Sequence, residues 1–250
     1  MKRPAALRSF IYTWLPLVVG LILLVLFVSL GNWQWQRAGE KQAILEAFEQ
    51  GAEADHRPLD LSVRSWEDLR FQRVAFRGRY LPERQFLLDN QIRDGRVGYR
   101  VITPAVHDAS GRLVLVERGW VPREAQPGQL PDVAGGLPAG QGVIRGQVYV
   151  PFGEGYRIGA MDDGRAVWPR VVQYLDFEAM GQRLGGPVVP MTIRLDPDAP
   201  HGYHRDWRPV LPMGAERHMA YAVQWYAMAL ALVVIAAVLV IRRRSKTDDK

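Results

Sequence analysis

Two long stretches without charged residues, one near each end, constrain the fold of this chain more than any other feature of its sequence. The first covers Ser9–Gln36 and the second Met219–Ile241. A helix crosses the hydrocarbon core of a bilayer with about 20 apolar residues. We therefore predict transmembrane helices over 10–32 and 219–241, with residues 33–218 on one side of the membrane.

The net charge of the chain, +6 at pH 7, is concentrated at its two ends. Residues 1–8 and 242–250 hold eight basic and two acidic side chains, so the remainder is neutral overall. Short tails that carry basic residues next to a membrane span stay in the cytoplasm. We therefore expect cytoplasmic tails over 1–9 and 242–250, an exported central domain, and no nucleic-acid partner.

The first apolar stretch is predicted to be an uncleaved anchor, because it is longer than a signal-peptide core and no small-residue cleavage site follows it. The N-terminus also lacks the Arg- and Ser-rich lead of a transit peptide, which favours a bacterial inner membrane over a mitochondrion with matrix tails. The chain contains no cysteine, which excludes disulfides, thiolate metal sites and copper transfer through Cys.

Helical segments are predicted at three places between the spans. Residues 37–50 are rich in helix formers and form a helical stem, with Gly51 as its stop. Ser65 and Asp68 resemble the capping box of a short helix over Ser65–Leu69. A further helix is predicted to begin at Asp176 and to end at two glycines.

Strand patterns dominate the rest of the central domain. Pro190 interrupts the last candidate, the segment 90–95 resembles a polar hairpin link, and 123–142 is a long Pro/Gly-rich loop. The fold class predicted is two transmembrane α-helices flanking a mainly antiparallel β domain, a partly closed sheet or barrel with one or two short helices. The strand candidates are 74–80, 85–89, 98–103, 113–117, 143–150, 171–175 and 187–195.

The candidate binding residues cluster where the second span begins. On a helix, His218, Tyr221, Ala222 and Trp225 share a face. A histidine at the rim of a membrane can be an axial ligand to haem iron, and the neighbouring Arg217 can pair with a haem propionate. The simpler interpretation is that the charged residues lie at the membrane–water interface and that the aromatic residues form the aromatic belt common at this interface.

Similar residues end the first span. Trp33 and Trp35 are typical of an aromatic belt and Arg37 of a boundary charge. The functional alternative places Arg37 and Gln36 opposite His218 across the helix pair.

Other polar groups carry weaker signals. His201 and His204 have a spacing that can bind metal, but a solvated loop explains them more simply. The sequence Arg118-Gly119-Trp120 is typical of a turn at the end of a strand. Common hydrolase, metalloprotease and nucleotide-binding motifs are missing from the sequence, so we expect a protein that is not an enzyme.

Four segments together resemble the surfeit locus protein 1 family, and their order and both spans also match the family. The first two are Leu30–Lys41, with its Trp-Gln-Trp-Gln-Arg sequence, and Gly98–Pro104. The others are Leu115–Pro122, with Arg-Gly-Trp, and His218–Tyr226, which contains His-x-x-Tyr-Ala-x-x-Trp. The resemblance covers nearly the whole chain.

This resemblance implies an assembly factor for haem-copper terminal oxidases, chiefly cytochrome c oxidase, that binds haem a as transient cargo and aids its insertion. Expected partners are the oxidase catalytic subunit and the haem a synthesis machinery. In that role His218 would be the axial ligand to the haem iron, Arg37 and Arg217 would meet the propionates, and Trp225 and Tyr221 would pack the ring. The alternative is a membrane scaffold that holds the catalytic subunit during cofactor insertion without binding haem.

Overall fold

The computed structural model describes residues 5–124, 129–152, 161, 162, 164, 167–209 and 213–248, with helix side chains described between 14 and 242. These residues form two compact units. One contains the described residues up to Glu46 and from Pro209 onward, and the other is Ala47–Arg208.

The elements follow the chain in the order helix, sheet, helix. The helices of the described residues are α1 (Ala5–Glu53), α2 (Phe177–Leu184) and α3 (Ala215–Asp248), with a 3-10 helix at Trp66–Leu69. The strands are β1 (Arg57–Pro58), β2 (Arg73–Tyr80), β3 (Phe86–Arg93), β4 (Arg96–His107), β5 (Leu113–Pro122), β6 (Gly142–Tyr149), β7 (Arg170–Val172) and β8 (Val188–Leu195).

Helices α1 and α3 are long and apolar enough to cross a membrane over Trp14–Glu53 and Ala215–Arg242. Most of their large apolar side chains are exposed, which in a bilayer places them against lipid. The fold class predicted from the sequence is confirmed. The boundaries predicted for the tails, spans and exported domain stay predictions.

The predicted stem is continuous with the first span, but its predicted end at Gly51 is wrong. Helix α1 continues to Glu53. Gly51 does not end the helix but lets the backbone of Phe71 approach it closely. A Cβ atom at residue 51 would lie 2.1 Å from the carbonyl oxygen of Phe71. Next to this contact, the rings of Phe48 and Phe71 meet edge to face with centroids 5.5 Å apart.

Five strands of the central unit close into a ring. The order is β2, β6, β8, β5 and β4, and the end of β4 pairs back with β2 from Tyr80↔Ala105 to Gly78↔His107. Pairing is antiparallel except for β5 with β8 and for the short strands β1 and β7. The 12-residue β4 makes closure possible, because its first half pairs with β3 and its last residues pair with β2.

The strand candidate 187–195 is confirmed as β8, and Pro190 interrupts only its pairing with β5. Pro190 lies in a register shift between Val188 and Thr192, where its missing N–H disrupts no ladder bond. The predicted link 90–95 is mostly strand, since β3 continues through a bulge after Leu88 to Arg93, with the turn at Asp94 and Gly95.

The core follows the strand alternation that the sequence predicts. On β2, Val74, Phe76 and Tyr80 are buried in the main apolar cluster. Helix α2 covers a second cluster with Met180 and Leu184. Its predicted start is confirmed, because Asp176 caps it by accepting a hydrogen bond from the backbone N–H of Ala179 at 3.0 Å. Residues 125–128 of the long loop lie outside the described residues.

Candidate functional site

Helices α1 and α3 pack against each other through small and aromatic residues. The ring of Tyr226 lies against Gly31, where an added Cβ would be 2.6 Å from the ring. The Tyr226 hydroxyl donates to Asn32 Oδ1 at 2.7 Å. Phe27 and Trp225 pack with ring centroids 5.8 Å apart. The two predicted spans therefore form an antiparallel pair with close backbone approach.

His218 lies in this helix interface and is bonded to Gln34 of α1. The distance between His218 Nδ1 and Gln34 Oε1 is 2.7 Å, and only 8% of the histidine is exposed. An amide oxygen can only accept, so Nδ1 carries the proton in this hydrogen bond. Nε2 of the neutral ring then keeps its lone pair, which is the form in which histidine binds a metal.

Some of the other predicted site residues lie in the interface between α1 and α3, and others lie on the exposed surface of these helices. Ala222 is buried, and the ring of Trp225 packs against the ring of Phe27. Tyr221 departs from the shared face, since it is 46% exposed one turn away from His218. The site that these residues build is thus a buried imidazole with an exposed aromatic ring nearby on the same helix.

The two predicted arginines are both exposed, but they differ in their contacts. Arg217 forms no hydrogen bond or ion pair with the described residues. Arg37 lies one turn from Gln34, pairs with Glu40 at 2.7 Å and stacks over Trp33 at 5.9 Å. An exposed ion pair of this kind contributes little, so Arg37 can exchange Glu40 for another anion at small cost.

Gln34 is the residue that sequence reasoning missed, and Gln36 was placed opposite His218 in its stead. Two residues along a helix are about 200° apart around its axis, so Gln36 faces away and is exposed. A signal was available in the sequence. Gly31, Gln34 and Ala38 recur at helical spacing, and they form the inward side of α1.

His201 and His204 do not form a metal centre with other described residues. Within the part of the chain that the structure describes, no three His, Asp or Glu side chains are grouped closely enough to hold a metal ion. His204 instead pairs through its backbone with Trp120, and both histidines lie in the segment that follows β8.

The model of one protein family, described as the SURF1 family, matches residues 21–230 of this chain. The chain belongs to the SURF1 family. The matched residues include 21–53 of α1, the whole β unit and 215–230 of α3, and so both Gln34 and His218.

Curated relatives agree with this assignment. The chain is 26% identical to Surfeit locus protein 1 of Xenopus tropicalis over 84% of this chain and 71% of that protein. It is also 26% identical to Surfeit locus protein 1 of Takifugu rubripes, over 81% and 88%. It is 30% identical to the cytochrome oxidase assembly protein SHY1 of Saccharomyces cerevisiae, over 43% of this chain but only 29% of the yeast protein.

The Arg-Gly-Trp sequence of this SURF1-family chain has a structural role in the β unit. It lies inside β5, not at a strand end as predicted, because Gly119 takes up a bulge with φ +120°. The Arg118 side chain is buried, donates to Gln85 Oε1 and the carbonyls of Val133 and His201, and stacks on Tyr203. Arg118 thus fixes two irregular segments to the sheet.

Proposed function

We propose that this protein is a non-catalytic assembly factor for cytochrome oxidase that carries haem a to the oxidase catalytic subunit. Membership of the SURF1 family and the relationship to a yeast protein named for cytochrome oxidase assembly support the oxidase as target. The haem part of the proposal rests on one observation, the 2.7 Å hydrogen bond that holds His218 Nδ1 against Gln34.

His218 is suited to bind iron because Gln34 fixes its tautomer. With Nδ1–H donated to Gln34, Nε2 is the free ligand atom, as in protein metal sites where a neighbouring acceptor orients the imidazole. Burial beside apolar helix residues suits a largely apolar macrocycle, since an apolar surface removed from water contributes about 25 cal/mol per Å².

The arginines and aromatic residues around this histidine supply the remaining contacts that haem a needs. Arg217 has no partner among the described side chains, and Arg37 has only an exposed one, so both can meet propionates. Tyr221 offers an exposed ring near His218 against which the macrocycle can pack. A single protein ligand and surface cations give binding that a stronger site in the oxidase can compete with.

The location we propose is the inner membrane of a bacterium, with both termini in the cytoplasm and the β unit in the periplasm. The charge of the two tails supports this orientation. Haem a synthesis is a membrane process in this scheme, and its machinery would deliver the cargo to the helix pair.

The experiment that tests haem carriage compares variants co-expressed with haem a synthesis. Detergent-purified wild type, His218→Ala, Gln34→Leu and His204→Ala are examined by pyridine-haemochrome spectra and haem titration. We expect haem a in the wild type and none in His218→Ala. Gln34→Leu should weaken haem affinity about 10- to 100-fold, as loss of a group that orients a metal ligand does.

His204→Ala is the matched control, because it removes an exposed histidine from the β unit, and it should retain wild-type haem. Thermal unfolding of each variant separates loss of haem from loss of fold. Equal occupancy in the wild type and His218→Ala would refute His218 as the ligand. A wild type without haem that still co-purifies with the oxidase catalytic subunit would favour the scaffold alternative.

A further inference from the structure

Helices α1 and α3 have an apolar groove of about 330 Å³ between them, on the side of His218 toward the chain ends. Its lining runs from Pro16 to Leu24 on α1 and from Leu232 to Val240 on α3, and it consists of Leu, Val, Ile, Ala, Pro and Gly residues. At a rise of about 1.5 Å per residue, Leu232 lies about 21 Å along α3 from His218. The groove is therefore separate from the proposed haem site.

The groove exists because the helix pair is closely packed at Gly31 and open at Gly20. An added Cβ at Gly31 would lie 2.6 Å from the Tyr226 ring, whereas one at Gly20 would have no neighbour within 4 Å. Gly20 and Ala236 are the smallest residues of the lining and leave this space unfilled. In a bilayer such space is filled by hydrocarbon, because water is absent and an empty gap loses dispersion contacts.

The dimensions of the groove match one hydrocarbon chain. A methylene group has a volume similar to the roughly 30 Å³ of a water molecule, so the groove has room for about ten of them. The step from Pro16 to Leu24 is about 12 Å along the helix axis, which is about the length of an extended ten-carbon chain. The groove therefore accommodates the greater part of one phospholipid acyl chain.

The lining favours a flexible chain over the helix of a partner protein. Membrane helices associate through stripes of small residues that let backbones approach and through polar side chains. The described lining has no polar side chain, and Leu, Val and Ile make up most of it. Leu21 and Ile235 are 64% and 57% exposed, so the groove is open toward the lipid. An acyl chain can thus enter it from the bilayer.

Basic residues follow the groove on α3. Arg242 lies two residues beyond Val240, is exposed and forms no hydrogen bond or ion pair with the described residues. The sequence continues with Arg243, Arg244 and Lys246. Basic clusters beside a membrane span attract anionic lipid headgroups. We propose that the groove binds one acyl chain of an anionic phospholipid, whose phosphate pairs with Arg242 and its basic neighbours. This site does not depend on haem.

The test uses the full chain without haem, reconstituted in phosphatidylcholine vesicles that contain a trace of phosphatidylglycerol with a diazirine in one acyl chain. After photolysis, peptide mass spectrometry locates the adducts, which we expect at 16–24 and 232–240 in the wild type. Added unlabelled phosphatidylglycerol should remove most of these adducts. A phosphatidylcholine probe with the same photoreactive chain should give severalfold fewer.

Two variants test the chain and the headgroup separately. Gly20→Leu places a side chain in the groove and should lower the adduct yield there severalfold, whereas Gly39→Leu, at an open glycine outside the groove, should not. Arg242→Gln should lower the yield about fivefold, since one basic residue at a membrane surface contributes about that factor to the binding of anionic lipid. Arg64→Gln removes an exposed arginine of the β unit and is the matched charge control.

Size-exclusion profiles and thermal unfolding of each variant separate loss of lipid binding from loss of fold. Adducts spread evenly along both helices, or equal adducts from the two lipid probes, would overturn the proposal. A wild-type adduct yield in folded Gly20→Leu or in folded Arg242→Gln would overturn it as well.

Discussion

At the scale of single residues, a buried carboxylate joins three strands of the closed sheet. Glu117 on β5 is fully buried, pairs with Arg100 of β4 at 3.2 Å and lies 3.5 Å from Arg194 of β8. Thr192 donates to its other oxygen at 2.6 Å. Burial alone would raise the pKa of Glu117, but the two guanidinium groups and the Thr192 hydroxyl outweigh burial and lower it.

We predict that Glu117→Gln destabilises the β unit by about 3–5 kcal/mol at pH 7, because it leaves the buried Arg194 and the partly buried Arg100 without their shared anion. A carboxyl whose pKa is lower in the folded state stabilises the fold above its unfolded pKa, about 4.3, and loses this contribution as pH falls through the folded value. The stability of the wild type should therefore decline on acidification more steeply than that of Glu117→Gln. Thermal unfolding followed by tryptophan fluorescence at pH 7 and pH 4 measures both effects.

The exposed Glu83 provides the control, and Glu83→Gln should match the wild type at both pH values. Equal melting temperatures and equal pH dependence in Glu117→Gln and the wild type would contradict the role assigned to this carboxylate.

The same scale shows what single residues in the sequence can predict about a site. His218 stands out because a histidine at a membrane rim is unusual, and the structure places it in the helix interface. Its partner Gln34 was missed, because Gln34 and Gln36 are chemically identical, and the helical spacing of Gln34 with two small residues identifies the packed face only once the rotation of α1 against α3 is known. That rotation depends on side-chain packing between distant segments of the chain.

At the scale of elements, the helix pair depends on a glycine. A Cβ at Gly31 would lie 2.6 Å from the Tyr226 ring, whereas one at Gly20 would have no neighbour within 4 Å. Small residues at such contacts let two membrane helices approach closely. The hydrogen bond from Tyr226 to Asn32 requires this approach.

We predict that Gly31→Val separates α1 from α3, because the added methyl groups occupy the position of the Tyr226 ring. The chain has no native cysteine, so Phe27→Cys with Trp225→Cys gives a clean cross-linking pair at rings 5.8 Å apart. With a protease site inserted after Glu124, cross-linked halves stay together on a denaturing gel. The cross-linked fraction should fall severalfold in Gly31→Val and remain unchanged in Gly20→Val. Equal cross-linking in the two variants would show that Gly31 does not set the helix contact.

Local patterns in the sequence located most elements, and they failed where one residue has a tertiary role. The cap at Asp176 and the alternation of β2 are set within a few residues, and both predictions are confirmed. Gly51, predicted as a helix stop, instead allows a close approach to the Phe71 backbone. Pro190, predicted to interrupt a strand, interrupts only the pairing of β8 with β5, at a register shift that this pairing creates.

At the scale of the whole molecule, a partly closed sheet was predicted from the sequence, but the strand pairings that close it could not be. Closure depends on the pairing of β2 with the end of β4 and on the parallel pairing of β5 with β8. These contacts join segments that are far apart in the chain, and no local pattern encodes their register. The overall plan of two apolar helices around a β unit was predictable, because span length and tail charge are properties of the sequence alone.

That plan yields a prediction for this chain when it is expressed in a bacterium. Glu124 is exposed in the β unit, and Asp249 belongs to the C-terminal tail, so Glu124→Cys and Asp249→Cys provide one reporter on each predicted side. In intact spheroplasts, we expect a membrane-impermeant maleimide to label Glu124→Cys fully and Asp249→Cys only after lysis, because basic residues in short tails favour the cytoplasmic side. Labelling of both cysteines before lysis would mean that the two helices do not place the tail and the β unit on opposite sides. Labelling of Asp249→Cys alone would invert the orientation, and with it the compartment in which haem a would meet the oxidase.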